Sequence, residues 1–135
     1  MELFQVQPHE IDHAWRNGAD QLGEACKFAL REVTPDQLKF LLARGERTLI
    51  GIRDNGKVTG WGAVQVHQLP NIRVLYIYSM AGKGLVSFEA FKLLKEYAKA
   101  NGCTTIRGSC RPSMVRFLKK YGAVPLYQTL EFEAS

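Results

Sequence analysis

Gly82-Lys83-Gly84 stands between an apolar run, Ile72 to Ser79, and a helix-patterned run, Leu85 to Asn101. Glycines let backbone N–H groups approach a ligand closely, and a helix start favours an anion, so this arrangement suits a phosphate. Lys83 between the glycines would neutralise one, or is simply a solvated loop lysine. Around this loop, Met80 to Gly122 holds nine Lys and Arg against two Glu, whereas the rest of the chain holds nine basic and eleven acidic side chains. One part of the molecule therefore presents positive charge to something negative.

Other groups with chemical potential are sparse. Cys26, Cys103 and Cys110 show no C-x-x-C pairing, and His9, His13 and His67 do not cluster with them, so no metal site is assigned. Cys110 lacks an identifiable His partner and reads as a buried structural thiol rather than a nucleophile. His67 at the end of one strand-like run and Glu131 in another are the candidates for a general base. Each is equally readable as an ordinary edge or exposed strand residue.

The elements that would carry these residues follow from periodicity. Glu2 to Gln7 alternates as a strand. Pro8 to Ala25 has helical spacing weakened by interior glycines, each costing about 1 kcal/mol relative to alanine. Thr34-Pro35-Asp36-Gln37 is a capping box opening a second helix. Arg47 to Arg53, Lys57 to His67 and Ile72 to Ser79 read as a three-strand meander turning at Asn55-Gly56 and Pro70-Asn71. Gly60 and Gly62 in its middle strand suggest a bulge or a close approach. A helix over 85–101, a strand over 104–109, a helix over 112–121 and a last strand, Leu126 to Glu133, complete the order. Where the meander passes through a helix to the next strand, a parallel crossover is required. The expectation is an α/β, mixed but mostly antiparallel twisted sheet of about six to seven strands with helices on both faces.

The 135 residues fit one domain spanning 1–135, with 46% hydrophobic and 23% charged residues, a composition ordinary for a soluble globular protein. No apolar run approaches the ~20 residues that cross a bilayer, so no membrane association is expected and a cytoplasmic location is. The net charge of +5 admits a phosphorylated cofactor, an acidic protein or nucleic acid.

This order, with glycines between the fourth strand and its helix, resembles the GCN5-related N-acetyltransferase (GNAT) family. The family's loop R/Q-x-x-G-x-G/A, whose backbone N–H groups bind the pyrophosphate of acetyl-coenzyme A, is matched by Ser79-Met80-Ala81-Gly82-Lys83-Gly84, with Ser79 in place of Arg or Gln. The resemblance implies acetyl-CoA as co-substrate, held by the loop from Ala81 to Leu85 and by backbone groups of Tyr78, Ser79 and Met80. The family's second motif, N-x-x-A-x-x-F-Y-x-x-x-G-F, is similar to Arg111 to Ala123, where Phe117 and Gly122 match. Arg111 replaces the usual Asn, and Leu118 stands where the family commonly has a proton-donating Tyr. Tyr121 is the nearest phenol, and it is equally a packing residue. The Arg-Phe-Leu-Lys-x-x-Gly-Ala version looks like small acetyltransferase-like proteins of tailed bacteriophages, some of them virion components.

Three functions remain open at this point: acetyl transfer from acetyl-CoA to an amine, a catalytically silent assembly protein among phage structural proteins or within a virion, and nucleic-acid binding through Arg107, Arg111, Arg116, Lys119 and Lys120. The last ranks lowest because no nucleic-acid motif is present. If the first of these holds, Gly82→Glu is expected to abolish coenzyme binding and leave the fold intact.

Overall fold

The computed structural model describes residues 1–134. Among them, five strands form one sheet in sequential order: β1 (Glu2–Val6), β2 (Thr48–Asp54), β3 (Lys57–Gln68), β4 (Arg73–Ala81) and β5 (Thr105–Gly108). The first three pairings are antiparallel and β4–β5 is parallel, as the helical crossover requires.

Helices cover both faces. On one, α1 (Ile11–Arg16), α2 (Leu22–Ala25) and α3 (Pro35–Ala43) close a core in which Ile11, Leu22, Leu38 and Leu42 meet Leu49, Trp61 and Ala63. On the other, α4 (Phe88–Ala100) sets Leu94 and Ala98 against Ile50, Val64 and Leu75. The last helix, α5 (Pro112–Lys119), lies beside α4 through Tyr121, which stacks on Phe91 at 4.6 Å between ring centroids.

Local chemistry explains the boundaries. Thr34 accepts from the Gln37 N–H while the Gln37 side chain accepts from the Thr34 N–H, completing the capping box of α3. Asn55 and Gly56 both take positive φ at the β2–β3 turn. The expected helix over 8–25 is instead broken. Gly18 adopts φ +118 beside the Trp61 indole, and short 3-10 turns flank α1 and α2. The helix expected from Leu85 begins three residues later, at Phe88, because Ser87 accepts from the Ala90 N–H as its cap.

The sheet has five strands, not six or seven. The run Leu126 to Glu133 alternates as a strand should but pairs with none among the described residues, so no ladder forms. Cys110 is also corrected: it is exposed, just past the end of β5, while Cys103 is the buried thiol.

The glycine loop is docked on β3. A bulge there leaves Thr59 opposite no β2 residue, and its carbonyl accepts from the Gly84 N–H at 3.0 Å. A Cβ on Gly82, at φ +83, would meet the Thr59 carbonyl oxygen at 2.5 Å, and one on Gly84 would overlap Thr59 Oγ1. Gly82→Glu is therefore expected to displace this backbone as well as any ligand, since its Cβ would meet the Thr59 carbonyl and the Gly60 Cα.

Two stability effects follow. Gly84→Ala is expected to cost about 1–3 kcal/mol by overpacking, and Thr34→Ala about 1 kcal/mol by loss of the cap. Urea denaturation checks both, and a neutral Gly84→Ala would contradict the docking of the loop on β3.

Candidate functional site

Two interruptions in the ladders on either side of β4 create the site. β4 and β5 pair from Val74–Thr105 to Ile77–Gly108 and no further, although β4 continues to Ala81. From Tyr78 to Ala81 the β5-facing edge of β4 is therefore free. On the other side, Ala63 pairs with Ser79 and Val64 with Ile77, so Tyr78 is a bulge residue with no β3 partner. A bulge leaves its extra residue outside the regular ladder and re-aims its neighbours. Backbone N–H and C=O groups thus face a gap where β4 and β5 stop pairing.

Directly after Ala81 the chain lines an open groove of about 630 Å³, bounded by Gly82, Lys83, Val86, Ser113, Met114 and Phe117. One wall is the glycine loop and the other is the first two turns of α5. The wall residues Val86, Met114 and Phe117 are apolar, and Lys83 is exposed at the loop. Ser79, in the stretch of β4 that β5 leaves unpaired, has a buried Oγ with no hydrogen-bond partner among the described residues. A buried hydroxyl without a partner is costly, so it fits a ligand that brings a donor or acceptor.

On the sheet face toward α1–α3, three rings gather beside the gap. His67 stacks on Tyr76 with centroids 5.3 Å apart, and its Nε2 lies 3.0 Å from the Tyr78 hydroxyl. The Arg47 guanidinium sits 3.7 Å above the Tyr78 ring. Tyr76 Oη and Ser109 Oγ are 2.7 Å apart, a hydrogen bond that spans the fork one residue beyond the last β4–β5 pair. The rings share a face because Tyr76 and Tyr78 are two apart on one strand and His67 lies near them on the neighbouring strand.

The residues singled out in the sequence thus separate into groups. Tyr78, Ser79, Met80 and Ala81 line the free edge, and Gly82 and Lys83 line the groove. The Gly84 N–H is bonded to Thr59, and Leu85 is buried against Ile52 and Ala90. Arg111 is at the N-cap of α5 with its guanidinium 3.8 Å over the Phe28 ring. Of the proposed acid–base groups, His67 is at the fork. Glu131 is exposed and held by both nitrogen-to-oxygen contacts of Arg31 Nη2, at 2.9 and 3.0 Å. Tyr121 packs among Phe88, Phe91 and Phe117.

Sequence reasoning missed Arg47 and Ser109 as members of the site. A signal existed: a Tyr-x-Tyr on a central strand followed by a strand ending in Ser. It gains meaning only once the hairpin register sets His67 beside that pair.

A second hollow, about 370 Å³, lies between α2 and the start of α3 and reaches Cys26, Val33 and Pro35. Desolvation by burial pushes the Cys26 thiol up, against a smaller downward pull from Arg47, so it is not poised as a thiolate nucleophile. Among the described residues no three His, Cys, Asp or Glu converge as a metal site, and no helix is long and apolar enough to cross a membrane.

Neither a described protein family nor a curated protein matches the sequence. Solved structures do. The chain is similar to a ribosomal-protein-alanine N-acetyltransferase from Brucella melitensis biovar Abortus 2308, at 11% identity and a TM-score of 0.69 over 98% of this chain and 99% of that one. It is similar to the aminoglycoside acetyltransferase HMB0005 from an uncultured soil metagenomic sample, at 16% identity and 0.67 over 99% and 98%. The glucosamine-6-phosphate N-acetyltransferase of Arabidopsis thaliana matches at 15% identity and 0.62 over 99% and 98%. At such identities the likeness speaks of architecture, and the architecture is the GNAT-like α/β fold of acetyltransferases.

Proposed function

We propose that this chain transfers an acetyl group from acetyl-CoA to an amine. The observation that carries the reading is the β4–β5 fork, whose free edge from Tyr78 to Ala81 runs into the groove between the glycine loop and α5. An extended thioester-bearing arm can add to the free strand edge by backbone hydrogen bonds, in the manner of an added strand. Ser79 Oγ would gain the partner it lacks, and Lys83 would meet phosphate charge at the mouth.

Acetyl transfer forms a C–N bond and breaks the C–S bond of the thioester, and CoA leaves as a thiolate that takes up a proton in place of the one the amine loses. The chain must hold the two reactants together, stabilise the oxyanion and remove a proton from the amine. Backbone N–H groups at the Tyr78 bulge are suited to the oxyanion, being fixed in place and outside the β3 ladder. His67 is the base this arrangement favours. Its Nε2 and the Tyr78 hydroxyl form a phenol–imidazole pair at the fork that can pass the amine proton outward. Glu131 is engaged by Arg31, and the Tyr121 ring is packed against three phenylalanines, so both are less well disposed.

The departures at Ser79, Arg111 and Leu118 from the family's usual residues support a second outcome, a fold kept for assembly, including inside a phage particle. Calorimetric titration with acetyl-CoA separates the two. Lys83→Glu is the control that the loop geometry recommends, because Lys83 is exposed while Gly82 is not replaceable without collision. Micromolar binding that weakens by about tenfold or more at low salt in Lys83→Glu, with an unchanged melting temperature, is expected. Absence of binding in the wild-type chain would sink the transferase reading and favour assembly. In an amine screen, His67→Gln is expected to lower turnover by about 10²–10⁴-fold with coenzyme affinity unchanged; full activity would remove His67 as the base.

A further inference from the structure

On the sheet face toward α1–α3, two arginines flank one pair of rings beside the fork. Tyr76 and Tyr78 lie there with ring centroids 4.9 Å apart. Arg107 is the β5 partner of Tyr76 in the parallel ladder, so its side chain leaves the sheet on the face of the two phenols. Its neighbour Ile106 packs into the α4 core on the other face, as alternation requires. Arg47, just before β2, reaches Tyr78 from the opposite direction in the sheet, with its guanidinium 3.7 Å above the ring.

Neither guanidinium has a counter-ion in the chain. Among the described residues, the arginine ion pairs join Arg16 to Asp12, Arg31 to Glu131, Arg44 to Glu46 and Arg53 to Glu2. Glu46 adjoins Arg47 in sequence, yet it is engaged by Arg44 Nε at 3.2 Å. Arg107 Nε is buried and has no hydrogen-bond partner among the described residues. Leaving a buried donor of a charged group without an acceptor costs more than leaving a neutral one. The nearby hydroxyls are already used, Tyr76 with Ser109 and Tyr78 with His67. A site that selects a plain or polycationic amine needs the reverse arrangement, carboxylates or aromatic faces without a resident cation.

We propose that the acceptor amine also carries a compact anionic group, a carboxylate or a phosphate, which Arg47 and Arg107 bind on the α1–α3 face of the fork. The inference rests on the transferase reading and names its acceptor class. A guanidinium offers either oxyanion paired N–H donors in one plane. Such an anion supplies the acceptor that Arg107 Nε lacks, and it turns the amine end of a short molecule toward His67. The same two cations repel a polyamine and give a neutral amine no anchor, so discrimination has both an attractive and a repulsive part.

The full chain is tested with short amines of similar length: β-alanine, O-phosphoethanolamine, ethanolamine and putrescine, following release of the CoA thiol. An anionic member is expected to show kcat/KM about tenfold or more above ethanolamine and putrescine, and the two anionic amines separate a carboxylate site from a phosphate site. This comparison needs no substitution. Arg47→Gln and Arg107→Gln are each expected to raise KM for the favoured anionic amine about tenfold or more with acetyl-CoA affinity unchanged, and the lysine variants to recover part of the loss. Preference for ethanolamine or putrescine, or an anionic preference that survives both glutamine substitutions, would overturn the inference. Calorimetry with N-acetyl-β-alanine and N-acetyl-O-phosphoethanolamine in the presence of CoA reads the same site without turnover. Binding of acetyl-CoA with binding of neither anionic product removes the inference alone. Failure to bind acetyl-CoA removes the transferase reading and the acceptor with it.

Discussion

The hydrogen bond from the Gly84 N–H to the Thr59 carbonyl, made possible by glycine at 82 and 84, fixes more of this molecule than any single packing contact. Backbones can approach this closely only where neither strand nor loop carries a Cβ in the way. Gly60 contributes from the other side: a Cβ there would stand 3.0 Å from the Leu85 N–H nitrogen. Once the loop is docked, Leu85 is buried between Ile52 and Ala90, and the chain enters α4 at a set place and angle. The helix then lays Leu94 and Ala98 on Leu75 and Ile50, closing the second core layer. The same docking withdraws the loop from the sheet's far side and leaves the groove open toward α5.

The fork depends on that anchorage and on two bulges. A bulge at Thr59 offers its carbonyl to the loop, and a bulge at Tyr78 takes β4 out of step just where β5 stops pairing. Bulges increase local twist and redirect side chains, so β4 can serve one neighbour below Ile77 and none on the β5 side above it. Tyr76–Ser109 ties the strands at the branching point, and the Arg47 guanidinium over Tyr78 holds the phenol from the helix-covered face. The geometry of the fork comes from interrupted regularity within the sheet.

How much of this was written locally can be judged element by element. The capping box at Thr34 and the Asn55-Gly56 turn are properties of four and two residues, and the structure has them where the sequence puts them. The glycine loop was visible as a loop, but its reason was not. Gly82 and Gly84 answer Gly60 and Thr59 across twenty-odd positions of sequence, and only the β3–β4 register brings them together. The broken helix over 8–25 turned on Gly18, whose left-handed conformation follows from the turn beside the Trp61 indole rather than from its own neighbours. The segment Leu126 to Glu133 shows the opposite failure. Its alternation was read correctly, yet alternation specifies a face and not a neighbour, and a strand exists only with a partner. Site residues followed the same rule: His67 was legible as a titratable group, while its bond to Tyr78 is a fact of register.

The concentration of positive charge finally has to be weighed against the shape it surrounds. A surface for duplex nucleic acid would set its Lys and Arg along a broad face and make contacts to successive phosphates. Here the groove beside the basic loop is walled by Val86, Met114 and Phe117, with Lys83 at its mouth. The Arg111 guanidinium lies over the Phe28 ring, and Lys120 lies 5.8 Å from the Phe117 ring centre, so part of the charge is engaged with aromatic faces. Apolar walls with a cation at the entrance favour a ligand that is itself divided, an uncharged arm attached to a phosphorylated head. The proposed acyl-coenzyme is divided in this way, and under that proposal the local excess of charge would steer it toward the fork.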